Sequence, residues 1–400
     1  MYKKKLLIPA GGAAIALLAI AITFLFIAPA FRNPVIAYYR LPANVRAAIS
    51  ALADDPALSG KTKFGVVVLD DSKGLAEQLA KKPRVDVVFA YDGAAAAECA
   101  GKALVPSEQI RLLIPTPIRD VGTRFGVGYA LPLLLDHFEV AYDASAFAKA
   151  GFGEPKTLGD LIAGAKKTAT QDMSPIVCAG GNDRDLLLLV GSVAEAKYGA
   201  AAREKIVADL REKGNLRSAL GNAELRGTLD TLVEWRKSGL LNPEWFRMKD
   251  ADLVAYLETG YASVALMPFS THRAIPLKTL QRFASIPIPP SKFNSPRVLS
   301  APTVIGMLPV YRKPDATAAD FLYRLAREEG QVILSAKTGL VPVNSIVPAE
   351  NIQASNVRSW VASSNGPVPD PASAAFADPA KVAETARDIR AYVEANGIGF

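Results

Sequence analysis

An α/β fold of two or three packed domains is what this sequence predicts, on three observations. Short, unbroken apolar runs bounded by turn residues recur in its first hundred residues, and stretches with three- and four-residue apolar spacing lie between them. Its 400 residues, half of them hydrophobic and 21% charged, suffice for more than one buried core. Composition narrows function as well. Lys3, Lys4 and Lys5 supply three of the net +7 charges ahead of an apolar run, and the remaining +4 is too little to imply nucleic acid. Two His and two Cys leave no Cys/His zinc site or disulfide scaffold, although carboxylates alone can hold a hard cation.

The N-terminus sets the compartment. Lys3 to Lys5 followed by the nearly uncharged Leu6 to Ala30 match the basic flank and apolar length that engage export machinery. Ala28-Pro29-Ala30 offers a cleavage site, and about 25 apolar residues also suffice to span a bilayer, so residues 1–30 fit a signal peptide or a signal anchor. The rest of the chain is expected in the periplasm or on the outer face of the cytoplasmic membrane. Cys99 and Cys178, flanked by Ala or Val, suit small buried thiols; export also permits a bridge.

Val35 to Tyr39, Phe64 to Leu69 and Val85 to Tyr91 read as buried parallel strands, with helices over Asn44 to Leu52 and Leu75 to Lys81 between them. From Phe125 to Tyr142 the apolar character outlasts one strand and is broken by Pro132, which fits a segment leaving one sheet and entering another. Helices follow over Ala144 to Ala150 and Thr157 to Ala169, where Thr157 is a candidate N-cap with Asp160 in the first turn. Asp185 to Tyr198, Ala201 to Lys213 and Ala223 to Ser238 have helical spacing, with Gly239 as a C-cap. Strands are expected at Val264 to Met267, Phe283 to Ile288 and Val304 to Leu308, helices at Ala316 to Glu329 and Pro379 to Asn396, and a buried turn at Gly339 to Asn344.

The order of motifs resembles the extracellular solute-binding proteins of ABC importers, in particular the family that includes maltose-binding proteins. The residues that carry the resemblance are Asp86-Val87-Val88-Phe89 with Leu104-Val105-Pro106, Tyr129-Ala130-Leu131-Pro132 through Asp143, and Tyr256-Leu257-Glu258-Thr259-Gly260 through Met267. Ala318 to Leu334 followed by Gly339-Leu340-Val341-Pro342-Val343-Asn344 completes the set. Where the family often has G-x-W after the Met, this chain has Pro268-Phe269-Ser270-Thr271-His272. The resemblance implies a two-lobed periplasmic-binding-protein fold, each lobe a central, mostly parallel sheet flanked by helices. Residues 35–132 with 289–338 form lobe 1, residues 133–288 with 339–400 form lobe 2, and strands crossing near Pro132 and Pro287 join them. It also implies a monomer that closes on a small polar solute, carbohydrate first, with ABC permease subunits as membrane partners, no cofactor and no catalysis.

Ligands of open α/β sheets lie beyond the carboxyl ends of the strands. Tyr39 and Arg40 follow the first strand, offering a stacking face and a bidentate donor; Tyr91 and Asp92 follow the third, where a carboxylate can accept from vicinal hydroxyls. Asn182 and Asp183, beside Arg184, either face the cleft or cap a helix. By resemblance Phe269, Thr271 and His272 occupy the ligand-contacting loop, and Phe376 an aromatic wall; Phe293, Asn294 and Arg297 lie after the second crossing. Trp235 and Trp245, flanking Gly239, are read as packing.

Enzyme signals fail. Gly60-Lys61-Thr62 copies the end of a phosphate-binding loop, but Asp55 holds the position of its first Gly and the strand comes after it. There is no G-x-S-x-G, H-E-x-x-H or C-x-x-C. A hydrolase built on Asp136-His137 or on distant paired carboxylates is one alternative to transport, and a membrane-anchored two-lobed sensor or assembly protein that binds a protein partner is the other.

Overall fold

A computed structural model describes residues 33–397 except 61, 82–83, 171–172, 243, 293–296, 312–314 and 350. The expected signal or anchor at residues 1–30 lies outside the described residues, as do Phe293 and Asn294. Among the described residues no helix is long and apolar enough to cross a membrane.

The first part of the chain alternates as the periodicity predicts: β1 (Val35–Tyr39), α1 (Ala43–Ala53), β2 (Gly65–Val68), α2 (Leu75–Lys81) and β3 (Val87–Tyr91). β1 pairs in parallel with β2 and with β3. Alternate side chains enter cores on opposite faces, Tyr38 and Phe89 on one side and Ala37, Tyr39 and Val88 on the other. β2 departs from the expected buried strand. It lies at the sheet edge, so Val66 and Val68 remain about half exposed despite the unbroken apolar run.

The long apolar stretch changes sheets. β4 (Leu131–Leu135) belongs to the first sheet and β5 (Phe138–Asp143) to a second, so the chain changes sheets at Asp136-His137, shortly after Pro132. Pro132 is paired within β4, next to a register shift against a later strand, where a missing N–H is tolerated. Beyond the crossing come α3 (Leu158–Thr168), β6 (Ser174–Cys178), α4 (Asp183–Tyr198), α5 (Ala200–Lys213), α6 (Ala223–Lys237), α7 (Asp250–Thr259), β7 (Ala262–Pro268), α8 (Phe269–Arg273) and β8 (Phe283–Ile286). The expected cap is present: Thr157 Oγ1 accepts from the Asp160 N–H, and the Asp160 carboxylate accepts from the Thr157 N–H.

The chain returns through β9 (Leu299–Ser300) to β10 (Thr303–Met307), which lies antiparallel between β3 and β4. The helix expected at Ala316 to Glu329 is two, α9 (Ala316–Ala326) and α10 (Glu328–Thr338), broken where Arg327 turns extended. Gly330 permits the tight corner, because a Cβ there would stand 2.3 Å from the Arg324 carbonyl. β11 (Val341–Pro342) then pairs with β4, and α11 (Ile352–Ala362) packs on β11. Residues 339–362 therefore pack with the first sheet, whereas the sequence boundary gave all of 339–400 to the second lobe. β12 (Pro367–Val368) pairs with β9, and α12 (Pro371–Ala375) and α13 (Pro379–Glu394) pack against α4, α5 and α6 of the second lobe.

The sheet orders are β11-β4-β10-β3-β1-β2 and β8-β5-β7-β6. Both sheets are mixed, and the strands flanking each crossing, β4, β5, β8 and β10, enter antiparallel. Cys99 and Cys178 are buried free thiols.

Candidate functional site

Two cavities lie between the lobes and meet at a pair of side chains. Tyr91 ends β3, and Arg184 stands in the first turn of α4. The Arg184 guanidinium donates to the Tyr91 hydroxyl at 3.2 Å and pairs with Asp136, at the crossing, at 3.2 Å and with Asp185 at 3.4 Å. Both residues line both cavities.

The smaller cavity, about 180 Å³, lies beyond the carboxyl ends of β1 and β3. Tyr39, Arg40, Tyr91 and Asp92 line it from the first lobe, and Asp183, Asp370 and Phe376 from the other side. Tyr39 is held by its hydroxyl, which donates to the Lys73 carbonyl at 3.0 Å. Arg40 has a φ of +54°, an unusual conformation for a non-glycine residue, with its N–H donating to Asp71. Gly93, next to Asp92, has a φ of +148°, and a Cβ there would stand 2.8 Å from the Ser373 carbonyl; only glycine lets α12 approach this wall. The larger cavity, about 580 Å³, carries Asp136, Asn182, Asp250, Ser270 and Thr271. Asn182 does both things that its position allowed: its Oδ1 caps α4 by accepting from the Arg184 N–H, and its amide donates to Asp250 at 3.4 Å.

Eight of the twelve candidate residues therefore line the two cavities, in three groups: Tyr39, Arg40, Tyr91 and Asp92; Asn182 and Asp183; Thr271 and Phe376. Phe269 is a correction. Its ring is fully buried in the first lobe's core, because α8 begins at the end of β7 and turns the side chain inward. His272 is a second correction, fully buried with Nδ1 at 2.5 Å from Glu139 and close to Ser285 and Gln353. Arg297 is a third. Its guanidinium grips Glu195 of α4 through both carboxylate oxygens and donates to the Ile288 carbonyl, which fastens the second crossing away from the cleft. Phe293 lies outside the described residues. Asp250 was not singled out by the sequence, Asp136 was read only within a hydrolase alternative, and Arg184 only as the neighbour of Asn182 and Asp183.

Electrostatics favour a donor-rich ligand. Burial pushes the Asp92 carboxyl above its ordinary 3.8, and its hydrogen bonds come from neutral donors, the Tyr129 hydroxyl at 3.2 Å and the Gly93 N–H. Burial likewise raises Asp370 and, with Asp250 beside it, Asp185. A carboxyl whose folded pKa lies above its unfolded one loses its proton first in the unfolded chain, so stability falls as pH rises through that window. Asp92→Asn is accordingly expected to raise the melting temperature of the empty protein at about pH 7 and to leave it unchanged near about pH 3. Thermal melts at the two pH values check this; a lower melting temperature at neutral pH contradicts it.

His137 is buried, and its pKa is pushed down to about 3 by burial, with Arg297 adding to the shift. It lines neither cavity, which leaves the Asp136-His137 hydrolase reading without a base in the cleft.

The sequence profile of the bacterial extracellular solute-binding protein family matches residues 70–362. The chain belongs to this family. Its members are non-catalytic receptors, and the chain is thus a solute-binding component of the ABC import type. Among solved structures it is similar to the bacterial solute receptor AcbH, described as having an exclusive preference for β-D-galactopyranose, with a TM-score of 0.74 at 14% identity over 90% of this chain and 92% of that one. It is similar also to a chitin oligosaccharide binding protein (TM-score 0.67, 16% identity, 92% and 100% covered) and to maltose-bound MalE3 of T. maritima (TM-score 0.62, 13% identity, 90% and 99% covered). These likenesses establish the fold. No curated protein matches the sequence significantly.

Proposed function

We propose that this solute-binding protein captures a small carbohydrate between its lobes and, on closing, presents it to ABC permease subunits as a monomer at the outer face of the cytoplasmic membrane. The observation that carries the reading is the smaller cavity. Tyr39 and Phe376 give it aromatic surface, and Asp92 and Asp370 give it carboxylates, a combination that suits a ring with an apolar face and hydroxyls at its edge. Solute-binding proteins of similar fold named for galactose, maltose and chitin oligosaccharides support carbohydrate over other polar solutes. A ligand touching both lobes shifts the open–closed population by its differential affinity, and a permease can read that shift.

Thermal unfolding against monosaccharides, oligosaccharides, polyols and amino acids tests this. Ligand at a hundred times its dissociation constant stabilises the native state by about 2.7 kcal/mol, which a melt resolves. A saturable shift with saccharides is expected, weakened by about 1–3 kcal/mol in Asp92→Ala, because a buried acceptor for a ligand hydroxyl is lost. A shift with amino acids alone overturns the carbohydrate reading; no shift with any solute, in a protein that melts cooperatively, favours a partner-binding sensor.

A further inference from the structure

A buried polar cluster ties the lobes together beside the two crossings. Glu139 stands on β5 just after the first crossing, Ser285 on β8 just before the second, and His272 on α8. Gln353 reaches all three from α11, which packs on β11 of the first sheet. Glu139 Oε1 accepts from the Ser285 hydroxyl at 3.1 Å and from the Gln353 amide at 3.1 Å, and His272 Nδ1 stands 2.5 Å from it. The same amide donates to the Ser285 hydroxyl at 2.6 Å and lies against His272 Nδ1. Glu139 and His272 have no solvent exposure. Ser285, however, opens onto a cavity of about 320 Å³ that Pro287, Asn356 and Trp360 also line, so protons can reach the cluster from solvent. On its other side α8 turns Ser270 and Thr271 to the larger ligand cavity, which leaves one short helix between the cluster and the cleft.

We propose that the cluster is a proton-operated latch on the hinge: with one proton shared between His272 and Glu139 it holds Gln353 of the first lobe, and a second proton releases it. His272 Nδ1–H donating to the carboxylate meets the first condition, and the amide of Gln353 then bonds an anion. An added proton weakens that bond wherever it settles. On Glu139 it removes the charge that strengthens the bond, and on His272 it sets a cation against the same amide N–H groups. Glu139 Oε2 and His272 Nε2 have no hydrogen-bond partner among the described residues, so the added proton gains no new bond there. Charged groups on the surrounding elements are engaged elsewhere: Asp136 with Arg184, Asp143 with Arg282, Arg297 with Glu195, and Arg358 of α11 with the Asn344 carbonyl. Arg273, beside His272, stays charged throughout, and His137, its pKa pushed down to about 3 by burial, stays neutral. Acid therefore acts on the Glu139–His272 pair and frees the first lobe to move, whatever solute the cleft takes.

The test is a pulsed electron-spin-resonance distance measurement on the full chain, with spin labels at Lys81→Cys on α2 and Lys166→Cys on α3, one exposed position in each lobe. Cys99 and Cys178 are buried and take no label. Readings are made at about pH 8 and about pH 5, the two sides of the range in which imidazoles change charge. Between them the ratio of displaced to undisplaced lobes is expected to rise about tenfold, the equivalent of one buried hydrogen bond to a charged group. Gln353→Met keeps the side chain's length without its donors, and is expected to show the acid distribution at both pH values. Glu139→Gln is expected to remove the pH dependence; Gln353 is only half-buried, so its variant carries the test if Glu139→Gln does not fold. A single distribution at both pH values in the parent overturns the proposal. So does a shift that survives in either variant, which would belong to the cleft carboxyls Asp92, Asp185 and Asp370. A lower melting temperature in Gln353→Met with unaltered distances would make Gln353 a packing residue and overturn it as well.

Discussion

Phe269→Ala is expected to lower the stability of the protein by about 3–5 kcal/mol, the range for emptying a fully buried phenylalanine site. The ring has no solvent exposure and packs in the core of the first lobe, although the strand that leads to it, β7, belongs to the second sheet. The backbone on either side is fixed: the Phe269 N–H donates to the His137 carbonyl at 2.7 Å, and the Ser270 N–H and hydroxyl donate to Asp136. Little of the surrounding structure is free to collapse into the space, which places the loss toward the upper end of the range. Urea denaturation measures it directly. Saturable binding persists in the folded fraction, because the ring reaches neither cavity. An unchanged unfolding midpoint together with lost binding would return Phe269 to the ligand.

The contrast between Phe269 and Tyr91 shows what a strand-end position conveys. Both follow or end a strand, and the rule that ligands lie beyond strand ends marks them equally. It says nothing of orientation. Tyr91 ends a parallel strand whose last residues face the other lobe, whereas Phe269 starts a helix whose first turn points inward. His272 repeats the lesson, since its partners Glu139, Ser285 and Gln353 lie on β5, β8 and α11 and no local pattern joins them. What was legible was local: the parallel β1–β2 and β1–β3 pairs, the Thr157–Asp160 capping box, and the passage of one apolar segment through two sheets. What was not legible depended on neighbours distant in sequence. The Val66 and Val68 positions became exposed because, among the described residues, no strand pairs beyond β2, a fact of sheet order and not of the run itself. Residues 339–362 joined the first lobe because β4, two hundred positions earlier by order of magnitude, offered Val341 and Pro342 an open edge.

Arg184→Met is expected to have the second large effect, and to differ from Phe269→Ala in its dependence on pH. Methionine keeps much of the side chain's length and apolar stem but removes the cation that faces Asp136 and Asp185, both buried. Removing one partner of a buried pair strands the other charge, at a cost of about 3–5 kcal/mol. Two features moderate it. Asp136 keeps the two donors of Ser270, and burial with Asp250 nearby already holds the Asp185 pKa far above its ordinary value. The expected loss at neutral pH therefore lies near about 3 kcal/mol. The stranded Asp185 carboxyl, already raised above its ordinary range by burial, is raised further above its value in the unfolded chain, so the added instability grows as pH rises through that window and fades as acid protonates it. Denaturation of the variant and the parent at about pH 7 and about pH 4 separates this from packing: the gap narrows in acid if charge carries it, and stays constant if the lost contacts do. Losing the Tyr91 bond also removes a direct tie between the lobes, so small-angle scattering of the empty variant should show a larger radius of gyration than the parent. A constant gap with an unchanged radius would mean that Arg184 is a packing residue and that some other contact holds the empty lobes together.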